Sequence, residues 1–290
     1  MIINNYLNYI GSKDRYLPQL RALLERASEL SGGEYLLDIF CGSAVVGINS
    51  TDLFKHIINV DKCEELIKIH QWVQNTPEQM LLPQIDACIS VYKLSKENKE
   101  GFMQLREDYN SLSNIDPIRL YCLITHSFNY SLQTNKDGKY NVPFGANRSC
   151  FNSKLRKKLE NFKEAIDNAG NMGFLNLDFE TAVESFPIKN TVYFVDPPYS
   201  ASKSKHPYRV RGVEWDSAAD IRLLMLLSKI NKEGGYFVFT NVLENNGEEN
   251  KALKEWVQDY KVHDVNIDYS NSSYQRKNLG KTREVIITNF

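Results

Sequence analysis

No Cys-x-x-Cys pair occurs in this chain. Its five cysteines (Cys41, Cys63, Cys88, Cys122 and Cys150) are odd in number and widely spaced. That excludes the usual zinc-site spacings and fits a disulfide framework poorly, so each reads as a small core residue of a reduced, cytoplasmic protein. No apolar run approaches the roughly 18 residues expected of a membrane span. The opening "MIINNYLNYIGSKDRY" lacks the charged start and apolar centre of a secretory signal. Net charge is missing too: 35 Lys and Arg oppose 36 Asp and Glu, which excludes a uniformly polycationic protein. Internal repeats and low-complexity tracts are absent.

What is present is apolar residue enough, 42% of 290, to bury a sizeable core in one large domain or one domain with an insertion. Residues 14–30 place apolar positions at helical spacing, and "SGG" breaks the helix. "YLLDIF" reads as a short buried strand, "CGSAVVGINS" as a loop turning into a helix, and "HIINVD" as a second strand. That alternation signals a parallel α/β sheet. From 63 to about 165 helical stretches continue with no clear buried strand, and "NKDG" inside "SLQTNKDGKYNVPFG" marks a turn. The α/β rhythm returns in "GFLNLD", "TVYFVD", "ADIRLLMLLSKI", "GYFVFTN" and "EVIITNF". The simplest account is one α/β domain, residues 1–62 and 166–290, with residues 63–165 inserted after its second strand.

Charge follows the same division. Residues 93–163 hold thirteen Lys and Arg against seven Asp and Glu, a surplus of six, so the remainder is acidic. A basic segment interleaved with Tyr, Phe and Asn suits a polyanion. The piece "KLRKKLENFK" alone could equally be the solvated face of a helix.

Ligands of an open parallel sheet bind beyond the carboxyl ends of its strands, and three such ends stand out. After "LLDIF", Gly42 allows a tight turn and close approach of a ligand to the backbone, with the N–H groups of the next helix aimed at the site. An ordinary strand–helix turn would look the same. Asp61 closes "HIINVD" about 20 residues on, where an acid accepts both hydroxyls of a ribose; the competing reading is a helix cap for "KCEELIKIH". The third is Asp196-Pro197-Pro198-Tyr199. Two prolines make a stiff loop that keeps its carbonyls as acceptors. The Asp196 carboxylate and a carbonyl can hold both hydrogens of one amino group, and Tyr199 offers a flat face to a base. The set suits an exocyclic amine on a planar ring.

These residues resemble the Dam-type (D12 class, alpha group) DNA adenine-N6 methyltransferases over nearly the whole chain. The matching segments are "NYIGSK" (8–13), "DIFCGS", "FMQLREDYN" (102–110), "NVPFG" (141–145), "DPPY" and "RKNLGKTREVIITN". The resemblance implies an α/β, Rossmann-like SAM-dependent methyltransferase fold: a mostly parallel seven-stranded sheet, helices on both faces, an antiparallel last strand in "EVIITN", and an inserted, mainly helical target-recognition region. It implies S-adenosyl-L-methionine as cofactor, S-adenosyl-L-homocysteine as product, and no metal. Tyr9 and Lys13 would meet the methionine end, Lys13 at its carboxylate. Asp38, Phe40, Gly42 and Ser43 form the glycine motif. Asp61 would take the ribose, Asp178 the cofactor's adenine amine with Phe179 beside the ring, and Asp196 completes the set.

Catalysis would fall to Asp196, Pro197, Pro198 and Tyr199 acting on an adenine flipped from duplex DNA. Base reading is expected from Gln133, Lys136, Lys139 and Asn141, and phosphate contacts from Arg148, Lys154, Lys203, Lys205, Arg209 and Arg211. Two departures from the family pattern stand out. Ala44 replaces the second glycine of F-x-G-x-G, and Gln133 stands where relatives that methylate GATC carry a guanine-reading arginine. Gln prefers adenine edges, so the expected target is not GATC. Double-stranded DNA, a monomer, and a cognate restriction endonuclease as partner complete the expectation. The alternatives are RNA adenine, cytosine-N4 or protein glutamine as substrate, or a non-catalytic nucleic-acid-binding relative. Cytosine-N4 relatives usually carry Ser, and glutamine relatives Asn, where Asp196 stands.

Overall fold

Strand β4 (Thr191–Val195) is buried at all five positions. Val192 and Phe194 enter one core, Tyr193 and Val195 the other. A strand covered on both faces has no polar side to expose, which is why its sequence is continuous rather than alternating. The computed structural model describes residues 2–8, 13–199, 210, 212, 215–245, 247–265 and 282–290.

Around β4 the sheet runs β3 (Met172–Asn176), β2 (His56–Asp61), β1 (Tyr35–Asp38), β4, β5 (Tyr236–Asn245), β8 (Thr282–Thr288), β7 (Lys261–Asp264). The two-residue β6 (Glu248–Glu249) pairs with β5 off this path. Strands β3, β2, β1, β4 and β5 are mutually parallel. Strand β8, which contains "EVIIT", is antiparallel to both its neighbours. The sheet is therefore mostly parallel, as expected, with β6 adding a short eighth strand to the seven.

Helices cover both faces. Helix α1 (Leu17–Ser31) packs on β4 and β5, and α3 (Glu64–Asn75) on β2 and β3. On the opposite face lie α8 (Phe179–Glu184), α9 (Ser217–Lys232) and α10 (Lys251–Trp256), which bury Phe179, Leu223, Leu227, Ile230 and Leu253 against Phe237, Phe239 and Ile287. Between β2 and β3 the chain adds α4 (Glu78–Tyr92), α5 (Lys99–Asn110), α6 (Pro117–His126) and α7 (Ser153–Ala169). Helix α6 is buried from Leu120 to His126 and touches α3, α4 and α5. Asp116 starts it by accepting the Ile118 and Arg119 N–H groups, both at 3.0 Å, with Pro117 at the first position where its missing N–H is no loss. Its core is continuous with that of α1 and α3.

The sequence reading passed over β7. Lys261, Val262 and Asp264 are exposed, so the strand has no apolar face to announce it. The short helix after β1, α2 (Val45–Ile48), has only four residues, all buried. Strand order reverses between β1 and β4. Their carboxyl ends therefore flank the crevice where a ligand of this architecture binds.

Candidate active site

Residues from four parts of the chain meet at that crevice. The Lys13 ammonium, buried ahead of α1, lies 2.7 Å from Asp196 Oδ2 just after β4. Thr240 on β5 donates its hydroxyl to Asp196 Oδ1 at 2.6 Å. The Tyr199 hydroxyl is 3.1 Å from Asp196 Oδ1 and 3.0 Å from Glu284 Oε1 on β8. Lys13 donates to the Tyr199 oxygen at 3.2 Å and stands over the rings of Tyr16 and Tyr199, 5.8 and 5.3 Å from their centroids. Tyr16 donates to Glu284 Oε1 at 2.6 Å. Burial first, then the nearby carboxylates, push the Tyr16 and Tyr199 phenols well above the ordinary tyrosine range, so both stay protonated. Pro197 is buried and Pro198 half-buried. Sequence reasoning found the four contiguous residues 196–199 and Lys13. It missed Tyr16, Thr240 and Glu284.

At the end of β1, Asp38 is fully buried, and its Oδ1 has no hydrogen-bond partner. The Phe40 N–H serves the carboxylate. Burial and then the Asp196 charge raise its pKa well above the carboxylate range. A buried carboxylate oxygen with no donor is a place for a cation. The α-ammonium of a methionyl cofactor is of the right charge and donor type, so the residues present fit S-adenosylmethionine.

The glycine loop is held from two sides. Gly42, in left-handed backbone at φ +46°, donates its N–H to Asp61 Oδ2 at 3.0 Å. Its carbonyl is 2.8 Å from His70 Nε2. A carbonyl only accepts, so His70 carries its proton on Nε2, and Nδ1 accepts from the Tyr6 hydroxyl at 2.7 Å. Burial lowers the His70 pKa to about 4, and the ring is neutral. Asp61 Oδ1 also accepts the Cys63 N–H at 2.9 Å where α3 begins. Its carboxylate therefore ties the end of β2 both to the helix and to the glycine loop. Burial raises its pKa against the pull of those two N–H groups. Ser43, next to Gly42 in the chain, is buried. Ala44 occupies left-handed backbone, φ +56°, the conformation that the family's glycine would adopt without strain.

On the β3 side, Asp178 caps α8 by accepting the Glu180 N–H at 3.1 Å and pairs with Lys62 at 3.2 Å. Phe179 is buried against Phe40, with centroids 5.6 Å apart, and both rings pack on Trp215, at 5.7 and 5.3 Å. Trp215, absent from the sequence-based set, closes this aromatic group.

The "NKDG" turn forms as expected. Asn135 and Lys139 face each other across it, with Gly138 at φ +80°, and the Asn135 side chain accepts the Asp137 and Lys139 N–H groups. Asn110 of "REDYN" fastens the turn to α5 by exchanging two hydrogen bonds with the Tyr140 backbone, 2.8 and 3.0 Å. In "NVPFG", a Cβ on Gly145 would lie 2.6 Å from the Ser127 carbonyl, so only glycine fits. Lys136, Lys139, Asn141, Arg148 and Lys154 are exposed and Gln133 half-exposed. Phe128 is also exposed, with the Arg148 guanidinium 5.8 Å from its ring. Tyr9, the loop bearing Lys203, Lys205, Arg209 and Arg211, and the "RKNLGK" part of the late motif lie outside the described residues. Among the described residues no helix is long and apolar enough to cross a membrane.

Residues 9–271 match the family model described as D12 class N6 adenine-specific DNA methyltransferase. Among curated proteins, the type II methyltransferase M.FokI of Planomicrobium okeanokoites is 35% identical over 99% of this chain. The modification methylase StsI of Streptococcus sanguinis is 32% identical over 99%, and the modification methylase LlaI of Lactococcus lactis subsp. lactis 30% over 98%. The chain spans 43% of the length of each of these three relatives.

Proposed function

We propose, from the premise that this chain belongs to the D12 class N6 adenine-specific DNA methyltransferases, that it methylates the N6 amine of an adenine extruded from duplex DNA at a specific site. The observation that carries the reading is the Asp196 carboxylate, set at the strand-order reversal where its charge reaches Asp38, whose buried Oδ1 has no donor. S-adenosylmethionine, when bound, supplies a methyl group already activated by its sulfonium, so the reaction as written calls for no metal.

The adenine amine is a poor nucleophile because its lone pair is delocalised into the ring. Asp196 and the Pro197 carbonyl accept its two hydrogens and favour the pyramidal geometry that frees the pair. Holding that nitrogen in line is worth far more than proton abstraction, so positioning and electrostatics carry the acceleration. Asp38 would hold the methionine ammonium. Lys13, which pairs with Asp196 in this structure, would hold the methionine carboxylate, leaving Asp196 to the amine. Asp61 would hold the ribose with the lone pairs that the Gly42 and Cys63 N–H groups leave. Phe40, Phe179 and Trp215 line the cofactor's adenine, with Asp178 at its edge. Tyr9 and Ser43 contribute at the methionine end.

Tyr199 supplies the surface on which the extruded base stacks. Residues 63–165 act as the recognition region, with Gln133, Lys136, Lys139 and Asn141 turned to base edges and Arg148 and Lys154 to phosphates. Phe128, held up by Arg148, fills space among the bases. Lys203, Lys205, Arg209 and Arg211 belong to the same proposal as further phosphate contacts. A cognate restriction endonuclease as partner, a cytoplasmic location and a monomeric state belong to the same proposal; the names type II methyltransferase and modification methylase carried by the relatives support the first of them.

Sequencing that maps N6-methyladenine in a host expressing the protein tests the proposal. It should reveal one methylated motif other than GATC; genomes without a new methylated adenine would overturn it.

A further inference from the structure

Two phenol hydroxyls converge on one carboxylate oxygen: Glu284 Oε1 lies 2.6 Å from the Tyr16 hydroxyl and 3.0 Å from that of Tyr199. On β8, Val285 and Ile287 enter one core and Ile286 the other. Glu284 therefore shares the face of Ile286, toward the core that holds Tyr16. A carboxylate at that position needs a reason.

Proton counting supplies one. The Tyr199 oxygen is also 3.1 Å from Asp196 Oδ1, yet a phenol has a single proton to give. Asp196 Oδ1 already receives the Thr240 hydroxyl at 2.6 Å, and Oδ2 the Lys13 ammonium at 2.7 Å. Lys13 occupies a lone pair of the Tyr199 oxygen at 3.2 Å. Asp196 thus has a donor on each of its oxygens while Glu284 has Tyr16 alone, so the Tyr199 proton is better placed on Glu284.

We infer that Glu284, oriented by Tyr16, is a positioning residue that draws the Tyr199 proton away from Asp196, keeping the lone pair of Asp196 Oδ1 that Thr240 does not use open to the amine of the incoming base. The inference rests on the function proposed above. Without an acceptor at 284, the Tyr199 hydroxyl turns to Asp196, and an internal donor competes with the substrate for the same oxygen.

Glu284→Met and Glu284→Gln test this, because the two side chains are similar in length and differ in acceptor strength. Three readouts apply: turnover on a duplex carrying the methylated motif, cofactor-product affinity by calorimetry, and fluorescence of 2-aminopurine placed at the target adenine. Glu284→Met should lower kcat on the order of 10- to 100-fold with cofactor affinity unchanged, in line with a misplaced reacting group. Glu284→Gln should restore most of it, since the amide oxygen accepts the same two hydroxyls. The double variant Glu284→Met/Tyr199→Phe should turn over faster than Glu284→Met alone, because the competing proton is gone. A purely structural role moves neither comparison. Wild-type kcat in Glu284→Met, or a double variant no faster than the single, would overturn the inference. Wild-type protein that transfers no methyl to duplex adenine would instead overturn the proposed function.

Discussion

Lys13 and Asp196 form an ion pair of 2.7 Å, with the lysine side chain almost wholly buried. The pair joins the segment ahead of the first helix to the loop after the fourth strand. It neutralises the one carboxylate on which the proposed reaction depends, so removing the acid and removing its charge have different consequences.

Asp196→Asn retains an oxygen for Lys13 or Thr240 but not the charge. Methyl transfer should fall on the order of 100- to 1,000-fold, the scale of a lost transition-state hydrogen-bond partner, while the melting temperature changes little. Asp196→Ala takes this carboxylate from the buried ammonium, and roughly 3 kcal/mol of stability should go with it. Paired thermal melts and turnover measurements separate the two effects.

Asp38 should couple stability and cofactor binding in opposite directions. Its pKa is raised in the folded chain. Its contribution to stability is therefore complete only below the ordinary carboxylate value and is lost as pH rises toward the folded pKa. Asp38→Asn removes that penalty. The variant should melt higher than the wild type at pH 8, yet bind S-adenosylhomocysteine at least about tenfold more weakly, the scale of one lost charged hydrogen bond. Calorimetry at pH 8 measures both. Equal affinity would detach Asp38 from the cofactor.

His70 carries the opposite sign. Its folded pKa is about 4, below the ordinary 6.5. Above pH 6.5 both folded and unfolded chains hold a neutral ring. Between 6.5 and about 4 only the unfolded chain takes up the proton, and stability drains by roughly 1.4 kcal/mol per pH unit. His70→Gln can still donate to Gly42 and accept from Tyr6. Its melting temperature should fall less steeply than the wild type's across that window. Parallel curves would remove His70 as the cause.

Ala44→Gly should stabilise the protein by about 1 kcal/mol, the strain of one left-handed alanine. For a chain of this size that is about 2 °C in melting temperature.

What the sequence disclosed about this site tracks distance along the chain. Asp196, the prolines and Tyr199 are adjacent, so their joint chemistry could be read from one decapeptide. The pairing of Tyr16, Thr240 and Glu284 with that loop is tertiary. In sequence, Tyr16 is one more apolar position of an amphipathic helix, Thr240 a good strand former, and Glu284 the edge of a strand. Strands β4 and β5 were legible because both faces are buried. Strand β7 was not, because it is exposed. Asp61 was open to two readings, ribose or helix cap, and the fold shows a carboxylate shared between the glycine loop and the start of α3.

Strand β8 lies between β5 and β7, although it follows both in the chain. Among the described residues β7 pairs with no other strand. As a ribosome extends the polypeptide, β7 emerges before β8, the strand it joins, and the edge of β5 waits uncovered. The sheet must therefore finish in an order different from its synthesis, and the strand that completes it is the one that brings Glu284 to the pocket.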